Sequence, residues 1–278
     1  MILSATSRLA GVMGWPVGHS RSPRLHGYWL ERYGIDGAYL PLPVRPEAFT
    51  AALRALADLG FCGVNVTIPH KEAALAACDE VDATARRIGA VNTVVFRDGR
   101  LLGSNSDAFG FLASLRAAAP GWCPGDAPAV VLGAGGAARA VVAALGDAGV
   151  AELRLVNRTM ARAERLAAQL GGTIRVYGPA DAAAALAGAG LLVNSTSLGM
   201  TGQPPLELEL AGLPASALVA DLVYQPLETT LLAEAKARGN NVVDGIGMLL
   251  HQARPGFEAW FGVAPEVTDD LRRFVLAG

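Results

Sequence analysis

The sequence predicts an α/β fold in two domains, and three observations support this prediction. Strand patterns alternate with helical patterns through the first part of the chain, which is typical of a mostly parallel sheet covered by helices. A buried strand, a glycine-rich turn and a helix start follow at 129–139, where a second domain begins. Two further helical patterns, at 248–260 and 268–276, come after the second sheet is complete. The predicted domains are 1–107 plus 246–278, and 108–245.

Composition is typical of a globular protein with reduced thiols. The 278 residues are 52% hydrophobic and 17% charged, which is enough apolar content for a large core. A net charge of −2 without basic blocks argues against nucleic acid or an anionic membrane surface as a partner. Cys62, Cys78 and Cys123 lack metal-ligand spacing, and we find neither a secretory signal nor an apolar run of membrane-spanning length. We therefore expect a cytoplasmic protein without a bound metal.

The first domain is predicted to alternate strands and helices, with one hairpin. Its predicted strands are 11–14, 38–42 and 63–66, and its helices are 22–33, 45–59 and one that begins at Pro69. Ser22 is the predicted N-cap of the first helix, with Pro23 in its first turn. The turn Arg97-Asp98-Gly99-Arg100 separates two apolar runs, which predicts an antiparallel hairpin in an otherwise parallel sheet.

The second domain begins after a connecting helix at 107–118 and a segment rich in proline and glycine. Its predicted strands are 129–132, 152–156, 173–176, 191–194, 218–221 and 241–243, with a helix at 179–186 and a loop at 199–214.

The turn Gly133-Ala134-Gly135-Gly136-Ala137 is the first functional signal. Gly133 and Gly135 let the backbone turn sharply and approach a pyrophosphate closely, and Ala138 lets the helix lie close to the strand. The free N–H groups at the start of the helix suit phosphate oxygens. A tight turn that binds nothing is the alternative, but the order strand, turn, helix, strand favours a Rossmann-type dinucleotide site.

The end of the next strand indicates which dinucleotide. An NAD site usually carries an acidic residue there, which binds the ribose 2′-hydroxyl. This chain has Asn157-Arg158-Thr159 instead, so no carboxylate repels a 2′-phosphate and an arginine is available to bind it. The sequence therefore predicts NADP, and with it hydride transfer. Arg158 as an ordinary surface charge remains the alternative.

Lysine usage is the second signal. Of the 23 basic residues only Lys71 and Lys236 are lysines. A lysine can give up a proton where an arginine in practice cannot. Lys71 follows a predicted strand and opens a helix, which is where ligands gather in open α/β sheets, whereas Lys236 lies in an ordinary polar helix. Two interpretations of Lys71 remain open: it has a catalytic role, or it is a lysine retained by chance in a chain that otherwise uses arginine.

Polar residues near other strand ends could bind a small polar ligand. Ser20 and Ser22 lie at alternate positions beside a helix start, where hydroxyl groups suit a carboxylate. Asn92 and the run Ser104-Asn105-Ser106-Asp107 offer amide and carboxylate groups for hydroxyls. Turn formation and helix capping, by Ser22 and Asp107 in particular, are the alternative roles, and His19 is expected to be structural.

Taken together, these motifs resemble those of the shikimate dehydrogenase family along nearly the whole chain. The stretches that carry the resemblance are Gly14–Pro23, Asn65–Lys71, Gly89–Thr93, Asn105–Asp107, the glycine turn, Asn157–Thr159, Asn194–Met200, Tyr224–Gln225 and Asp244–Gln252. The chain departs from the family pattern at Ala108, where glycine is frequent, and at Gly27, where asparagine is common. Neither departure removes a functional group from the expected site.

The resemblance implies a role for each matching residue. Lys71 and Asp107 would form the catalytic pair; Ser20, Ser22 and Tyr224 would bind the substrate carboxylate, and Thr67, Asn92 and Gln252 its hydroxyls. The pyrophosphate would lie on Gly133, Ala134, Gly135, Gly136 and Ala137, the 2′-phosphate on Asn157, Arg158, Thr159 and Arg162, and the nicotinamide along Thr196, Gly245 and Met248.

The implied fold has an N-terminal α/β substrate domain with a mostly parallel sheet, a Rossmann-type NADP-binding domain, and C-terminal helices that return to the first domain. The implied reaction is the reversible, NADPH-dependent reduction of 3-dehydroshikimate to shikimate in the chorismate pathway to the aromatic amino acids, by a monomer or homodimer. An NAD-dependent quinate/shikimate dehydrogenase and a non-catalytic, redox-sensing protein on the same fold remain the alternatives.

Overall fold

The computed structural model describes residues 2–125 and 127–277. The chain forms two compact units: unit 1 comprises Met1–Ser106 with Leu250–Gly278, and unit 2 comprises Asp107–Leu249. The predicted α/β class is confirmed, because each unit contains a six-stranded sheet together with helices. The boundaries between the units lie at Ser106/Asp107 and Leu249/Leu250, and the predicted domains, with the binding role of each, stay a prediction.

Unit 1 is built on a mixed sheet with the strand order β2-β1-β3-β5-β6-β4. Its elements are β1 Arg8–Gly14, α1 Ser22–Arg32, β2 Gly37–Pro43, α2 Phe49–Asp58, β3 Gly63–Val66, α3 Lys71–Ala77, β4 Glu80–Val81, α4 Ala83–Ile88, β5 Thr93–Arg97 and β6 Arg100–Ser104. A 3-10 turn at Pro46–Ala48 precedes α2, within the single helix that was predicted at 45–59. The strands β1, β2 and β3 are parallel.

Local sequence explains the hairpin but not the start of α1. The predicted hairpin is confirmed, since β5 and β6 pair in antiparallel fashion around Asp98 and Gly99, whose positive φ angles of 51° and 73° suit a two-residue hairpin turn. The predicted Ser22 cap is wrong: Ser22 is already the first residue of α1, and Arg21 is the N-cap, without a side-chain cap bond. Ser20 takes over part of this role, because its Oγ accepts the N–H of Ser22 at 3.3 Å.

Unit 2 has an entirely parallel sheet with the order β12-β11-β10-β7-β8-β9. This is the order 3-2-1-4-5-6, in which the turns after the two central strands meet at a topological switch point. Its elements are α5 Asp107–Ala118, β7 Ala129–Leu132, α6 Gly136–Asp147, β8 Leu153–Val156, α7 Met160–Leu170, β9 Ile174–Tyr177, a 3-10 turn at Pro179–Asp181, α8 Ala182–Leu186, β10 Leu191–Asn194, β11 Leu218–Asp221, α9 Thr230–Ala237 and β12 Val242–Val243.

The last two helices, α10 Ile246–Phe261 and α11 Asp269–Leu276, complete the core of unit 1 from Leu250 onward. Trp260 is fully buried and donates its indole N–H to the carbonyl of Val94 in β5 at 3.0 Å. Phe257 packs on Trp29 of α1, with their ring centroids 5.2 Å apart. The end of the chain therefore supplies two of the largest buried side chains to a sheet formed by its beginning.

One edge of the sheet in unit 1 is formed by β2. The N–H of Arg8 donates to the carbonyl of Asp36, and the N–H of Val44 donates to the carbonyl of Gly14. The even-numbered residues between 36 and 44 therefore direct their backbone groups toward β1. The odd-numbered residues face outward, and Pro41 and Pro43 are among them. Proline lacks an N–H group, so half of this edge offers no donor to another strand.

A histidine is buried among the aromatic rings of unit 1. His26 has no exposed surface, and its ring stacks on that of Tyr39 with centroids 3.9 Å apart. Neither ring nitrogen has a hydrogen-bond partner within the described residues. Burial lowers the pKa of His26 to about 3, because the imidazolium would lose its hydration there.

Among residues 2–125 and 127–277, no group of three or more potential metal ligands occurs, and none of the helices is long and apolar enough to cross a membrane. Cys62, Cys78 and Cys123 are free cysteines.

His26 makes stability depend on pH in a predictable direction. Its folded-state pKa of about 3 lies below the value of roughly 6.5 expected in the unfolded chain. The unfolded state therefore binds a proton that the folded state does not, and stability is lost as the pH falls from about 6.5 toward 3, by at most ~1.4 kcal/mol per pH unit. We expect His26→Phe to show a shallower loss than wild type in urea unfolding between pH 7 and 4.5. Equal slopes in the two proteins would contradict this origin.

Candidate active site

The turns after β1 and β3 lie side by side in unit 1. Met13 is opposite Val66 in the parallel ladder, and the N–H of Trp15 donates to the carbonyl of Ile68 at 3.0 Å. A Cβ at Gly14 would lie 2.5 Å from Cγ2 of Thr67, so a larger residue there would force the Thr67 side chain to move. Ladder and glycine together bring the two loops that carry predicted substrate residues to one edge of the sheet.

Six predicted residues lie in unit 1. Ser20 and Ser22 follow β1, Thr67 follows β3, Lys71 is the first residue of α3, Asn92 immediately precedes β5, and Gln252 lies in α10. Ser22 and Asn92 are buried, while Ser20, Thr67, Lys71 and Gln252 are half-buried. The first five thus lie at or beside the ends of elements, whereas Gln252 lies inside a helix.

Asn92 is held by a network of hydrogen bonds. Its Oδ1 accepts the N–H of Ser106 and the hydroxyl of Thr93, both at 2.9 Å. Its Nδ2 donates to Oγ of Ser106 at 3.1 Å and to Oε1 of Gln252 at 3.5 Å. The structure therefore brings Asn92 and Gln252 together, and it fixes the direction of the Asn92 amide.

Two residues without a predicted role extend this network toward Ser22. Nδ2 of Asn65 donates to Thr93 at 3.1 Å, and its Oδ1 accepts the hydroxyl of Tyr39 at 2.7 Å. Burial raises the pKa of Tyr39 well above its usual value, and a hydrogen bond with Ser22 acts in the opposite direction. A buried polar chain thus joins Ser22 to Asn92. Asn65 opens the stretch Asn65–Lys71 that carries the family resemblance, but the sequence contains no signal that pairs it with Tyr39.

Unit 2 contains the glycine turn. Gly133 follows β7 with φ of +105°, and a Cβ there would lie 2.9 Å from Cγ2 of Thr196. Gly135 is the N-cap of α6, and a Cβ at Gly135 or Gly136 would meet open space. Ala138 is fully buried against the sheet. A glycine-lined turn at the start of a 12-residue helix fits a dinucleotide pyrophosphate.

The predicted 2′-phosphate residues follow the neighbouring strand. Leu132 is opposite Val156, so the turn at 157–159 starts beside the glycine turn. Nδ2 of Asn157 donates to the carbonyl of Thr159 at 2.7 Å, which closes this turn, while Arg158 and Arg162 are exposed. No carboxylate occurs between 157 and 162, so this surface suits a phosphate.

The remaining predicted residues of unit 2 follow the other strands. Thr196 comes after β10, Tyr224 after β11 and Gly245 after β12; Ala134 and Ala137 lie in the glycine turn and at the start of α6, and Met248 in α10. A Cβ at Gly245 would clash with the carbonyl oxygens of Leu222 and Val223. Asp107 is the buried first residue of α5 and belongs to unit 2, whereas Lys71 belongs to unit 1.

Comparison with known proteins identifies the family. Residues 12–94 match the family model described as the shikimate dehydrogenase substrate binding domain, and residues 123–200 match shikimate / quinate 5-dehydrogenase. A shikimate dehydrogenase (NADP(+)) from Paramagnetospirillum magneticum is 62% identical, with 99% of this chain and 100% of that protein covered. The chain belongs to the shikimate dehydrogenase family. The resemblance seen in the sequence is therefore confirmed.

Other family members support the assignment and the fold. The shikimate dehydrogenase (NADP(+)) of Rhodospirillum rubrum is 62% identical over 99% of both chains. The Thermus thermophilus shikimate 5-dehydrogenase structure, in complex with NADP(H) and shikimate, superimposes with a TM-score of 0.87 at 41% identity, over 97% of this chain and 99% of that one. A quinate dehydrogenase from Corynebacterium glutamicum in complex with NAD gives 0.91 at 31% identity, over 98% and 99%. These similarities confirm the predicted fold, including the Rossmann-type domain.

Sequence reasoning missed one buried carboxylate in unit 2. Asp221 ends β11 and is 1% exposed. Burial raises the pKa of Asp221, while hydrogen bonds from Val223, Thr229 and Asn194 act in the opposite direction. A carboxylate that ends an otherwise apolar strand, Leu218-Val219-Ala220-Asp221, was the available signal.

Proposed function

We propose that this enzyme catalyses the reversible reduction of 3-dehydroshikimate to shikimate with NADPH, in the chorismate pathway to the aromatic amino acids. The observation that carries the proposal is 62% identity, over 99% of the chain, to relatives named shikimate dehydrogenase (NADP(+)). The enzyme is an oxidoreductase. The predicted site residues of the two units include the hydroxyl, amide, amine and carboxylate groups that this reaction needs.

Substrate binding is assigned mainly to unit 1. Ser20 and Ser22, together with Tyr224 of unit 2, would hold the substrate carboxylate through their hydroxyl groups. Thr67, Asn92 and Gln252 would bind the ring hydroxyls. The hydrogen bond between Asn92 and Gln252 supports this assignment, because it presents two amide groups in one arrangement before the ligand arrives, which lowers the entropic cost of binding.

Lys71 and Asp107 carry the proposed proton transfer. NADPH, when bound, supplies the hydride that reduces the C3 ketone and becomes NADP⁺. Lys71 donates a proton from Nζ to the developing alkoxide, so that the ketone becomes an alcohol. Asp107 would orient Lys71 for this transfer. In the reverse direction Lys71 accepts the proton.

Cofactor binding is assigned to unit 2. Gly133, Ala134, Gly135, Gly136 and Ala137 would surround the pyrophosphate at the start of α6. Asn157, Arg158, Thr159 and Arg162 would surround the 2′-phosphate. Thr196, Gly245 and Met248 would line the nicotinamide.

We further propose that the enzyme works in the cytoplasm as a monomer or homodimer, with small molecules rather than nucleic acid as its partners. The three free cysteines support a reducing compartment, and the net charge of −2 argues against nucleic acid as a partner.

The reaction and the cofactor are tested together by NADPH oxidation on addition of 3-dehydroshikimate, with NADH in parallel. We expect rapid, substrate-dependent loss of absorbance at the nicotinamide band with NADPH and little with NADH. Comparable rates with NADH would keep the reaction but contradict the role of Arg158. No loss with either cofactor, in folded protein that binds NADPH, would favour the non-catalytic alternative.

The role of Lys71 is tested by substitution. We expect Lys71→Ala and Lys71→Arg to lower kcat by roughly 10²- to 10⁴-fold, because neither side chain donates a proton readily. The NADPH Kd should stay near the wild-type value. Lys236→Ala is the matched control, since Lys236 is the other lysine and is exposed. Near-normal turnover by both Lys71 variants at saturating substrate would refute the assignment.

The cofactor preference is tested at Arg158. We expect Arg158→Ala to raise the KM for NADPH by about tenfold or more, because one charge-assisted contact to a phosphate is lost, while the KM for NADH hardly changes. Arg165→Ala, at another exposed arginine that follows closely along the chain, should leave both values unchanged. Equal effects of Arg158→Ala on the two cofactors would rule out a 2′-phosphate contact.

A further inference from the structure

Asp221 lies at the carboxyl end of β11, beside the end of β10. Its Oδ1 accepts Nδ2–H of Asn194 and the N–H of Val223, both at 2.9 Å, and its Oδ2 accepts the hydroxyl of Thr229 at 2.7 Å. All three partners donate, which matches an acceptor-only carboxylate. A polar group so deeply buried is costly unless its partners are in place.

The bond to Asn194 continues into the loop after β10. Oδ1 of Asn194 accepts the N–H of Thr196 at 3.0 Å and its hydroxyl at 2.7 Å, and Nδ2 also donates to the carbonyl of Leu198 at 3.3 Å. Asn194 is fully buried, and Asp221 fixes which way its amide points. Because Thr196 packs against Gly133, the shape of this loop also sets the space beside the glycine turn.

The bond to Val223 shapes the turn after β11. It places the Leu222–Val223 peptide, one residue before Tyr224, and a Cβ at Gly245 would clash with the carbonyl oxygens of Leu222 and Val223. One oxygen atom, Oδ1 of Asp221, is therefore bonded to groups that shape two of the loops with predicted ligand-binding residues, those of Thr196 and Tyr224.

The other oxygen has a separable task. Thr229 donates to Oδ2 and is the N-cap of α9, where its Oγ1 accepts the N–H of Leu232 at 3.3 Å. Loss of this contact weakens the helix start but leaves the Asn194 and Val223 bonds intact.

We propose that Asp221 is a positioning residue, which through Oδ1 fixes the Thr196 loop for the cofactor and the Val223–Tyr224 turn for the substrate. The inference rests on the proposed function for the identity of both ligands. It assigns Asp221 no contact with either ligand and no part in the proton transfer.

The test compares variants that separate the two oxygens. We expect Asp221→Ala to raise both the NADPH Kd and the KM for 3-dehydroshikimate by about tenfold, since two buried hydrogen bonds are lost. Asn194→Ala should raise the NADPH Kd by a similar factor and leave the KM for 3-dehydroshikimate unchanged. Asp221→Asn, whose Oδ1 can still accept both bonds, should stay within about threefold of wild type.

Thr229→Val is the matched control. This variant removes the buried hydrogen bond from Thr229 to Oδ2 of Asp221, so the melting temperature should fall. The NADPH Kd and the KM values for NADPH and 3-dehydroshikimate should stay at wild-type levels. If Asp221→Ala behaves like Thr229→Val, with lower stability but unchanged ligand constants, the proposal is overturned. If Asp221→Ala does not fold, the test compares Asn194→Ala with Thr229→Val. Equal NADPH Kd values in these two variants would overturn the proposal.

The two proposals fail in different ways. The NADPH Kd is measured by fluorescence without turnover and is compared with wild type. Absence of 3-dehydroshikimate reduction by the wild-type enzyme would count against the proposed function alone.

Discussion

The hydrogen-bond ladder between parallel strands is the constraint on which both sets of predicted site residues depend. It sets Leu132 opposite Val156 and Met13 opposite Val66, so the chain leaves neighbouring strands at the same level. Turns that are distant in sequence then touch, as those at Gly133 and Thr196 do. A slip by one residue would move every side chain of a strand to the other face, and the polar groups at the strand ends would no longer converge.

Convergence of polar groups in an apolar interior has a cost, and at Asn92 and Asp221 hydrogen bonds offset it. Asn92 and Asp221 are both nearly inaccessible, yet each has several partners within 3.1 Å. Such groups are rigid because any other arrangement would leave a buried donor or acceptor unpaired. His26 is the contrast: it lacks partners within the described chain and is buried as a neutral aromatic ring.

The sequence could predict those structural features that depend on residues close to one another along the chain. The Asp98-Gly99 hairpin and the glycine turn at 133–137 need only neighbouring residues, and both were predicted correctly. The cap of α1 was misassigned because Ser20 and Ser22 are chemically equivalent candidates two positions apart. The bonds of Asn65 to Tyr39 and of Asp221 to Asn194 could not be predicted, since another strand brings each partner to its place. The family resemblance named residues of the expected site but not the buried groups that hold them.

The discontinuity of unit 1 has a consequence during synthesis on the ribosome. Unit 2 is one uninterrupted segment, whereas unit 1 needs the chain from Leu250 onward, including Phe257 and Trp260, to close its core. The unit that is translated first is therefore the last to finish folding. Until the chain from Leu250 onward is synthesised, apolar surface of its sheet stays exposed. Pro41 and Pro43 limit what the open edge of β2 can pair with during that interval, so they protect the nascent chain as well as the finished protein.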